Sequence, residues 1–327
     1  MRQALIIQPG AVGDVILTLP LVRLLKQAYA MTRVDLMGHV DRLAYLVPHA
    51  GIDGAHGIDD IPLHGLFCSP SDYRPDQSDR LVQFLQPYEL VVTFLSDPRG
   101  HFEQNLIDAC IRTHAVEVAT ISLTPSEDYP AHVAHSWMEQ FVAEMIEKPW
   151  HSLESFLSAS TALFPEAILP ERQAGTDNVV ILHPGSGGPS KCWPAERYIE
   201  LARRLQQQRL EVRFLVGPAE QERWQPDEMA LFKDTAEVVT DQALDEVAQL
   251  LLGCVGYVGN DSGISHLAAL AGRPTVAIFG PSNPLHWRPL GKRVRVCRAR
   301  QAHSSAGESD WPEIDEICSA LDALMQG

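Results

Sequence analysis

The sequence has few cysteines, and their spacing does not match that of a zinc site. Six cysteines are spread over 327 residues, with no CxxC pair and no Cys/His cluster. A structural zinc site needs such ligands at short spacing, so we expect no bound metal. Scattered cysteines in a chain of this length predict free thiols in a reducing cytosol.

Basic residues are also scarce. Lys and Arg number 26 against 42 Asp and Glu, which gives a net charge of −16. A protein that binds nucleic acid needs a basic face, so this balance argues against that class. The acidity lies mainly in the first 170 residues, which carry 10 Lys and Arg against 21 Asp and Glu.

Long apolar runs are absent. No segment approaches the ~18 apolar residues of a membrane-spanning helix. The N-terminal run stops at Pro9-Gly10, is too short for the core of a signal peptide and lacks a cleavage motif. We therefore expect a cytoplasmic protein without a transmembrane segment, and this leaves peripheral membrane contact open.

Two stretches of the chain alternate apolar strands with amphipathic helices. The first contains ALIIQ (4–8), RVDLMG (33–38) and LVVTFL (90–95), and the second contains VVIL (179–182) and TVAIF (275–279). This order and spacing predict an α/β fold with doubly wound parallel sheets.

A segment of low periodicity separates the two stretches. Residues 158–176 predict a linker, and the length of the chain suits two domains of ~150 residues. We expect domains over 1–165 and 176–327, with the final helix as a candidate to pack back on the first. In the first domain, Thr18 is the expected N-cap of a helix that begins near Leu19.

Polar loops follow three of the predicted strands, where open α/β sheets bind ligands. In the first loop, Gly10 and Gly13 allow a tight turn and Asp14 stands near a helix start. Asp14 is either a helix-capping residue or a general base. The loop lacks GxGxxG, which argues against an NAD-dependent dehydrogenase.

The second loop is HPGSGGPSKCWP, from His183 to Pro194. Its glycines and Ser186 expose backbone N–H groups as an anion nest, and Lys191 supplies a positive charge. Gly185, Gly187 and Lys191 suit a diphosphate, although the spacing is not that of a Walker A loop. A plain surface loop is the alternative.

The third loop opens the stretch GNDSGISHLAALAG, from Gly259. Ser262 and Gly263 lie at the positive end of a helix dipole, where N–H groups favour an anion. Asp261 would repel that anion and is better suited to sugar hydroxyls, while His266 alone is more often structural. Glu220 follows another strand and suits either ribose binding or helix capping.

Together these loops resemble glycosyltransferase family 9, the bacterial ADP-heptose:lipopolysaccharide heptosyltransferases. The matching segments are GAVGDVILTLP (10–20), HPGSGGPSKCWPAERYIELARRL (183–205) and GNDSGISHLAALAGRPTVAIFGP (259–281). The resemblance implies a GT-B fold, in which two Rossmann-like domains face each other across a cleft. It also implies inverting, metal-independent transfer of L-glycero-D-manno-heptose from ADP-heptose, with no cofactor.

The same resemblance implies roles for individual residues. Asp14 matches the base that deprotonates the acceptor hydroxyl, Lys191 matches the lysine on the diphosphate, and Asp261 matches the residue facing the donor sugar. The residues assigned to donor binding are Gly13, Gly185, Ser186, Gly187, Lys191, Glu220, Asp261, Ser262, Gly263 and His266. The implied partners are a nucleotide-sugar donor and a glycan or glycolipid acceptor at the inner face of the inner membrane.

One departure concerns the acceptor. The N-terminal half is net acidic, with Arg99 and Arg112 as candidate basic residues, which speaks against an anionic acceptor. Alternatives on the same fold are a transferase for another nucleotide sugar, a sugar-nucleotide epimerase and a non-catalytic binder. An epimerase would act without an acceptor, and a binder would not need Asp14.

Overall fold

The computed structural model describes residues 2–47, 50–113, 117–145, 178–300 and 311–326. The chain divides into two compact units, residues 1–163 and 164–327. The predicted linker at 158–176 lies outside the described residues, and each unit is described by itself.

The first unit is built on a five-stranded parallel sheet. Its strands are β1 (Gln3–Ile7), β2 (Arg33–Gly38), β3 (Gly54–Gly57), β4 (Leu90–Thr93) and β5 (Glu117–Thr120). They are ordered β3-β2-β1-β4-β5. The central strands are continuous apolar runs because helices cover both faces of such a sheet.

Helices connect these strands. They are α1 (Val12–Leu17), α2 (Leu19–Ala28), α3 (Val40–Leu43), α4 (Arg80–Leu85), α5 (His101–Ile111) and α6 (Val133–Glu144), with a 3₁₀ turn at Leu63–Phe67. Thr18 is the N-cap residue of α2, as predicted, but its side chain makes no capping hydrogen bond. Its Oγ1 donates to the Asp14 carbonyl oxygen at 2.9 Å, because α1 ends there and Thr18 joins the two helices.

The second unit contains a six-stranded parallel sheet. Its strands are β6 (Val179–His183), β7 (Glu211–Leu215), β8 (Glu237–Val239), β9 (Gly256–Asn260), β10 (Thr275–Phe279) and β11 (Val294–Arg298). They are ordered β11-β10-β9-β6-β7-β8. This is the Rossmann order, with two crossovers on either side of the first strand.

The helices of the second unit are α7 (Ala195–Gln207), α8 (Pro218–Arg223), α9 (Pro226–Thr235), α10 (Leu244–Gly253), α11 (Gly263–Leu270), α12 (Pro284–Trp287) and α13 (Ile314–Gln326), with a 3₁₀ turn at Pro189–Lys191. The final helix, α13, packs on β9, β10, β11 and α7 within this unit. Its Ile317 and Leu321 are fully buried in the apolar core.

Strand order reverses at one place in each sheet, between β1 and β4 in the first unit and between β6 and β9 in the second. Ligands of doubly wound sheets bind outside the carboxyl ends of the strands at such points. The loop that contains Asp14 follows β1, and the loops that contain Lys191 and Asp261 follow β6 and β9. The topology therefore places the three predicted loops at ligand-binding positions of their own sheets.

Candidate active site

Asp14 lies in the first turn of α1. Its Oδ2 accepts a hydrogen bond from the backbone N–H of Ala11 at 2.8 Å, so the capping interaction expected from the sequence is present. A Cβ at Gly10 would overlap the Asp14 carboxyl group, which explains a glycine there. Asp14 is only partly buried, so capping does not remove its carboxylate from solvent.

The loop before Asp14 is held from a neighbouring element. Arg42, in α3, donates from Nη1 to the Gly10 carbonyl oxygen at 2.9 Å. Sequence reasoning missed this residue, because a single arginine in a four-residue helix gives no signal until α3 packs on α1. Arg42 thus fixes the peptide that leads to Asp14.

In the second unit, a buried amide joins the end of β9 to the loop that follows β6. Asn260, at the end of β9, is fully buried. Its Nδ2 donates to the carbonyl oxygens of Pro184 (2.9 Å) and Gly185 (3.2 Å). Its Oδ1 accepts from the Trp193 N–H (2.9 Å) and the Tyr198 hydroxyl (3.0 Å). The amide therefore makes four hydrogen bonds and fixes both ends of the 184–193 loop.

Lys191 and Asp261 form the closest ion pair of this region. The Lys191 Nζ lies 2.7 Å from Asp261 Oδ2, and the two side chains are 40% and 7% exposed. The Ser186 hydroxyl donates to the Asp261 carbonyl oxygen at 2.7 Å. The accessible ammonium can approach a ligand while the carboxylate stays fixed below it.

Glu220 lies in the first turn of α8 and is 3% exposed. Its Oε2 accepts from the Gly217 N–H at 3.0 Å, and its Oε1 lies 2.9 Å from Arg223 Nη2. A Cβ at Gly185 would overlap this carboxyl group, so the glycine is required by close approach. Arg223 also donates to the Ser186 carbonyl oxygen at 3.3 Å, a contact that sequence reasoning missed.

The N-terminus of α11 lies beside the Lys191–Asp261 pair. Ser262 is the N-cap residue, but its side chain makes no capping bond, so the first N–H groups of the helix keep their capacity for an anion. His266 in this helix is 5% exposed. Burial lowers its pKa to about 4, an effect that Lys191 reinforces and Asp261 opposes, so the imidazole is neutral at pH 7. Its Nδ1 has no hydrogen-bond partner among the described residues.

The structure brings most of the predicted donor residues together and separates one. Nine of the ten lie at the carboxyl edge of the second sheet, whereas Gly13 lies in α1 of the first unit with Asp14. At the carboxyl edge of the second sheet, the positive charges of Lys191 and Arg223 balance the negative charges of Glu220 and Asp261. Cations with helix N–H groups suit phosphate, and carboxylates suit sugar hydroxyls.

In the described parts of the chain, no three His, Cys, Asp or Glu residues are grouped so that they could hold a metal ion. In the same residues, no helix combines the length and apolar character that crossing a membrane requires.

Comparison with known proteins identifies the family. The model for glycosyltransferase family 9 (heptosyltransferase) matches residues 113–311. Lipooligosaccharide heptosyltransferase 2 of Haemophilus influenzae is 27% identical over 316 residues, which cover 90% of this chain and 88% of that protein.

Solved structures share the fold over the whole length. A family 9 glycosyltransferase from Veillonella parvula has a TM-score of 0.69 at 17% identity, covering 99% of this chain and 97% of its own. An E. coli heptosyltransferase solved with ADP has a TM-score of 0.66 at 19% identity, covering 98% and 99%. This likeness confirms the predicted GT-B class with its two Rossmann-like units. Since the family model matches more than half of its residues, the chain belongs to glycosyltransferase family 9.

Proposed function

We propose that this protein transfers heptose from ADP-L-glycero-D-manno-heptose to a lipopolysaccharide core or a related glycan, with inversion and without a required metal. Family membership and the heptosyltransferase relatives support the reaction class. The observation that carries the proposal is the pairing of an accessible Lys191 with a buried Asp261 beside the N-terminus of α11.

The donor half of the proposal follows from the charges at this edge. Negative charge grows on the leaving ADP in the transition state, and Lys191 with the N–H groups of α11 would stabilise it. Gly185, Ser186 and Gly187 supply the loop that follows the phosphates, and Ser262, Gly263 and His266 line the helix start. Because His266 is neutral, it can donate or accept a hydrogen bond without adding charge.

The sugar and the nucleoside are assigned to the carboxylates. Asp261 is held by Lys191 and is placed to accept hydrogen bonds from heptose hydroxyls. Glu220 is assigned to the ribose, and its buried carboxyl group lies 2.9 Å from Arg223 Nη2. Gly13, on the first unit, is assigned to the donor by the resemblance alone.

Asp14 is the proposed general base. An inverting transfer needs one group that removes the proton of the attacking acceptor hydroxyl, and a partly exposed carboxylate in a fixed turn suits this role. The Ala11 N–H holds Oδ2, and α1 with Arg42 holds the peptide before it. Orientation of this kind contributes to the rate without any contact to the donor.

The first experiment is calorimetric binding of ADP, UDP, GDP and ADP-heptose. We expect preference for the adenine nucleotides and about ten- to a hundredfold weaker ADP binding in Lys191→Ala, the value of a charge-assisted hydrogen bond. Lys233→Ala, an exposed lysine of α9, is the matched control. If the protein prefers UDP or GDP, the donor is a different nucleotide sugar from ADP-heptose.

The second experiment measures transfer. Asp14→Asn should lose ~100- to 10,000-fold in turnover while ADP binding is unchanged, as expected for removal of a general base. The anomeric configuration of the product tests inversion, and activity after chelation tests metal independence. Conversion of ADP-heptose without any acceptor would indicate an epimerase instead, and binding without transfer a non-catalytic protein.

The proposed setting is the cytoplasmic side of the inner membrane, where the protein meets a glycolipid acceptor as a peripheral enzyme. Cosedimentation with acceptor-containing vesicles, compared with vesicles lacking acceptor, tests this. If the protein binds neither kind of vesicle, a free oligosaccharide remains as the form of the acceptor.

A further inference from the structure

The first unit contains a cavity that the donor site does not use. It has a volume of about 500 Å³ and is lined by residues that follow β2, β3 and β4, at the carboxyl edge of the first sheet. Pockets of ~300–1,000 Å³ hold ligands of sugar or drug size. The volume and position are those of a ligand site.

Five ionisable side chains line this cavity, namely His39, Asp59, Asp60, His64 and Arg80. None of them makes a side-chain hydrogen bond or ion pair with another described residue, unlike the carboxylates of the second unit. The Asp60 carboxyl group lies close to Gly57, at the end of β3, where an added Cβ would overlap it. Donors and acceptors thus face one space with their hydrogen-bonding capacity unused.

An apolar surface completes the lining. Ile58, Ile61, Leu63 and Leu95 are buried or half-buried, while Phe67 is 45% exposed. The Phe67 ring is fixed by Phe102, at 4.8 Å between centroids. An exposed aromatic face beside the carboxylates of Asp59 and Asp60 suits the C–H face and the hydroxyls of a sugar ring.

The cavity is connected to the proposed base. His39 is the residue before α3, and Arg42 of that helix holds Gly10 in the loop that leads to Asp14. A ligand in the cavity therefore lies next to the elements that fix the base, on the same unit.

The charge of the lining limits the ligand. The lining carries two carboxylates and one guanidinium, and both carboxylates are exposed and form no ion pair with a described residue. A phosphate group on the ligand would bring two negative charges toward Asp59 and Asp60 with only Arg80 to offset them. The acidic balance of the first 170 residues adds to this repulsion.

We infer that this cavity binds the sugar of the acceptor that carries or adjoins the attacking hydroxyl, and that it selects a sugar without phosphate. That the bound sugar is the acceptor of the transfer rests on the proposed function. The binding of a neutral oligosaccharide to the first unit is independent of it.

The test uses the full chain and two probes: phosphorylated lipopolysaccharide core oligosaccharide, and the same preparation after dephosphorylation. Binding is measured by calorimetry without donor. We expect tighter binding of the dephosphorylated probe by the wild type. Removing one repulsive exposed charge changes the affinity for a charged ligand by up to about fivefold. The double variant Asp59→Asn with Asp60→Asn should therefore lower the ratio of the affinities for the dephosphorylated and phosphorylated probes by about five- to twentyfold.

Phe67→Ala tests the aromatic face and should weaken binding of the dephosphorylated probe by about tenfold. Its matched control is Ile111→Ala, because Ile111 is 66% exposed on α5 and does not line the cavity. The control for the double carboxylate variant is Asp128→Asn, an exposed carboxylate of the same unit. Thermal unfolding confirms that each variant is folded.

Three results overturn the inference: no binding of either probe, tighter binding of the phosphorylated probe, or equal effects of Phe67→Ala and Ile111→Ala. These results are distinguishable from a failure of the proposed function. That failure appears as absent transfer, or as transfer unchanged in Asp14→Asn, while probe binding still responds to the cavity variants.

Discussion

Asn260→Ala should destabilise the second unit and weaken donor binding together. The substitution removes four hydrogen bonds from a fully buried position. Two carbonyl oxygens, one N–H and one hydroxyl then lose a partner without gaining water. At ~1 kcal/mol for each bond, the free energy of unfolding should fall by about 3–5 kcal/mol.

The assay is urea unfolding combined with hydrogen exchange over residues 179–193, which reports on the second unit separately. Asn178→Ala is the matched control, because its amide makes one exposed hydrogen bond, to the Arg209 carbonyl oxygen at 2.7 Å, and should cost less than about 1 kcal/mol. ADP affinity should also fall in Asn260→Ala, since the loop that contains Lys191 loses its anchor. A loss of stability below about 1 kcal/mol, or unchanged exchange in the loop, would refute the reasoning.

Three further predictions concern single side chains. Gly185→Ala should force the Glu220 carboxylate away and cost about 1–3 kcal/mol of stability, with weaker ADP binding, measured by thermal unfolding and calorimetry. Arg42→Ala should release the Gly10 carbonyl and lower kcat by about tenfold with the donor KM unchanged, because its contact lies in the first unit. Burial favours a higher pKa for Asp35, but its hydrogen bonds outweigh this and lower the pKa, so the stability difference between wild type and Asp35→Asn should be largest near neutral pH.

The sign of the last prediction follows from linkage. A carboxyl group whose pKa is lower in the folded state contributes stability above its unfolded pKa of ~3.9, and that contribution is lost as the pH falls through the folded value. Urea unfolding of both proteins from neutral to acid pH checks it. A difference that grows on acidification would contradict the assignment. Unchanged ADP affinity in Gly185→Ala, or unchanged kcat in Arg42→Ala, would contradict the other two predictions.

The sequence predicted strands that are rich in apolar residues and missed β3, which is not. VVIL and TVAIF correspond to β6 and β10 because a buried parallel strand needs apolar residues on both faces. The strand β3 consists of GAHG and pairs only with β2 at the sheet edge, so its composition gives no signal. Thr18 is the N-cap residue that the sequence predicts, but its hydroxyl bonds back to the Asp14 carbonyl oxygen because α1 and α2 are contiguous, which the sequence does not show.

The candidate site was predictable where chemistry is carried by short motifs. Lys191 and Asp261 were named from their loops, and the 2.7 Å ion pair between them needs the β6–β9 pairing that only the fold provides. Asn260 and Arg223 were missed as contacts because their partners lie up to 76 residues away or on a loop packed by tertiary structure. The assigned roles of the site residues stay predictions.

The carboxylate of Asp261 competes with any phosphate group for the Lys191 ammonium. The ammonium is already bonded to a carboxylate, so an incoming anion gains only the difference between two partners. This reduction in binding free energy applies equally to inorganic phosphate, free nucleotides and the donor. A ligand whose sugar takes up the hydrogen-bonding capacity of Asp261 recovers the loss, and one without a sugar does not. Under the proposed function, the pair therefore favours a sugar nucleotide over inorganic phosphate and free nucleotides.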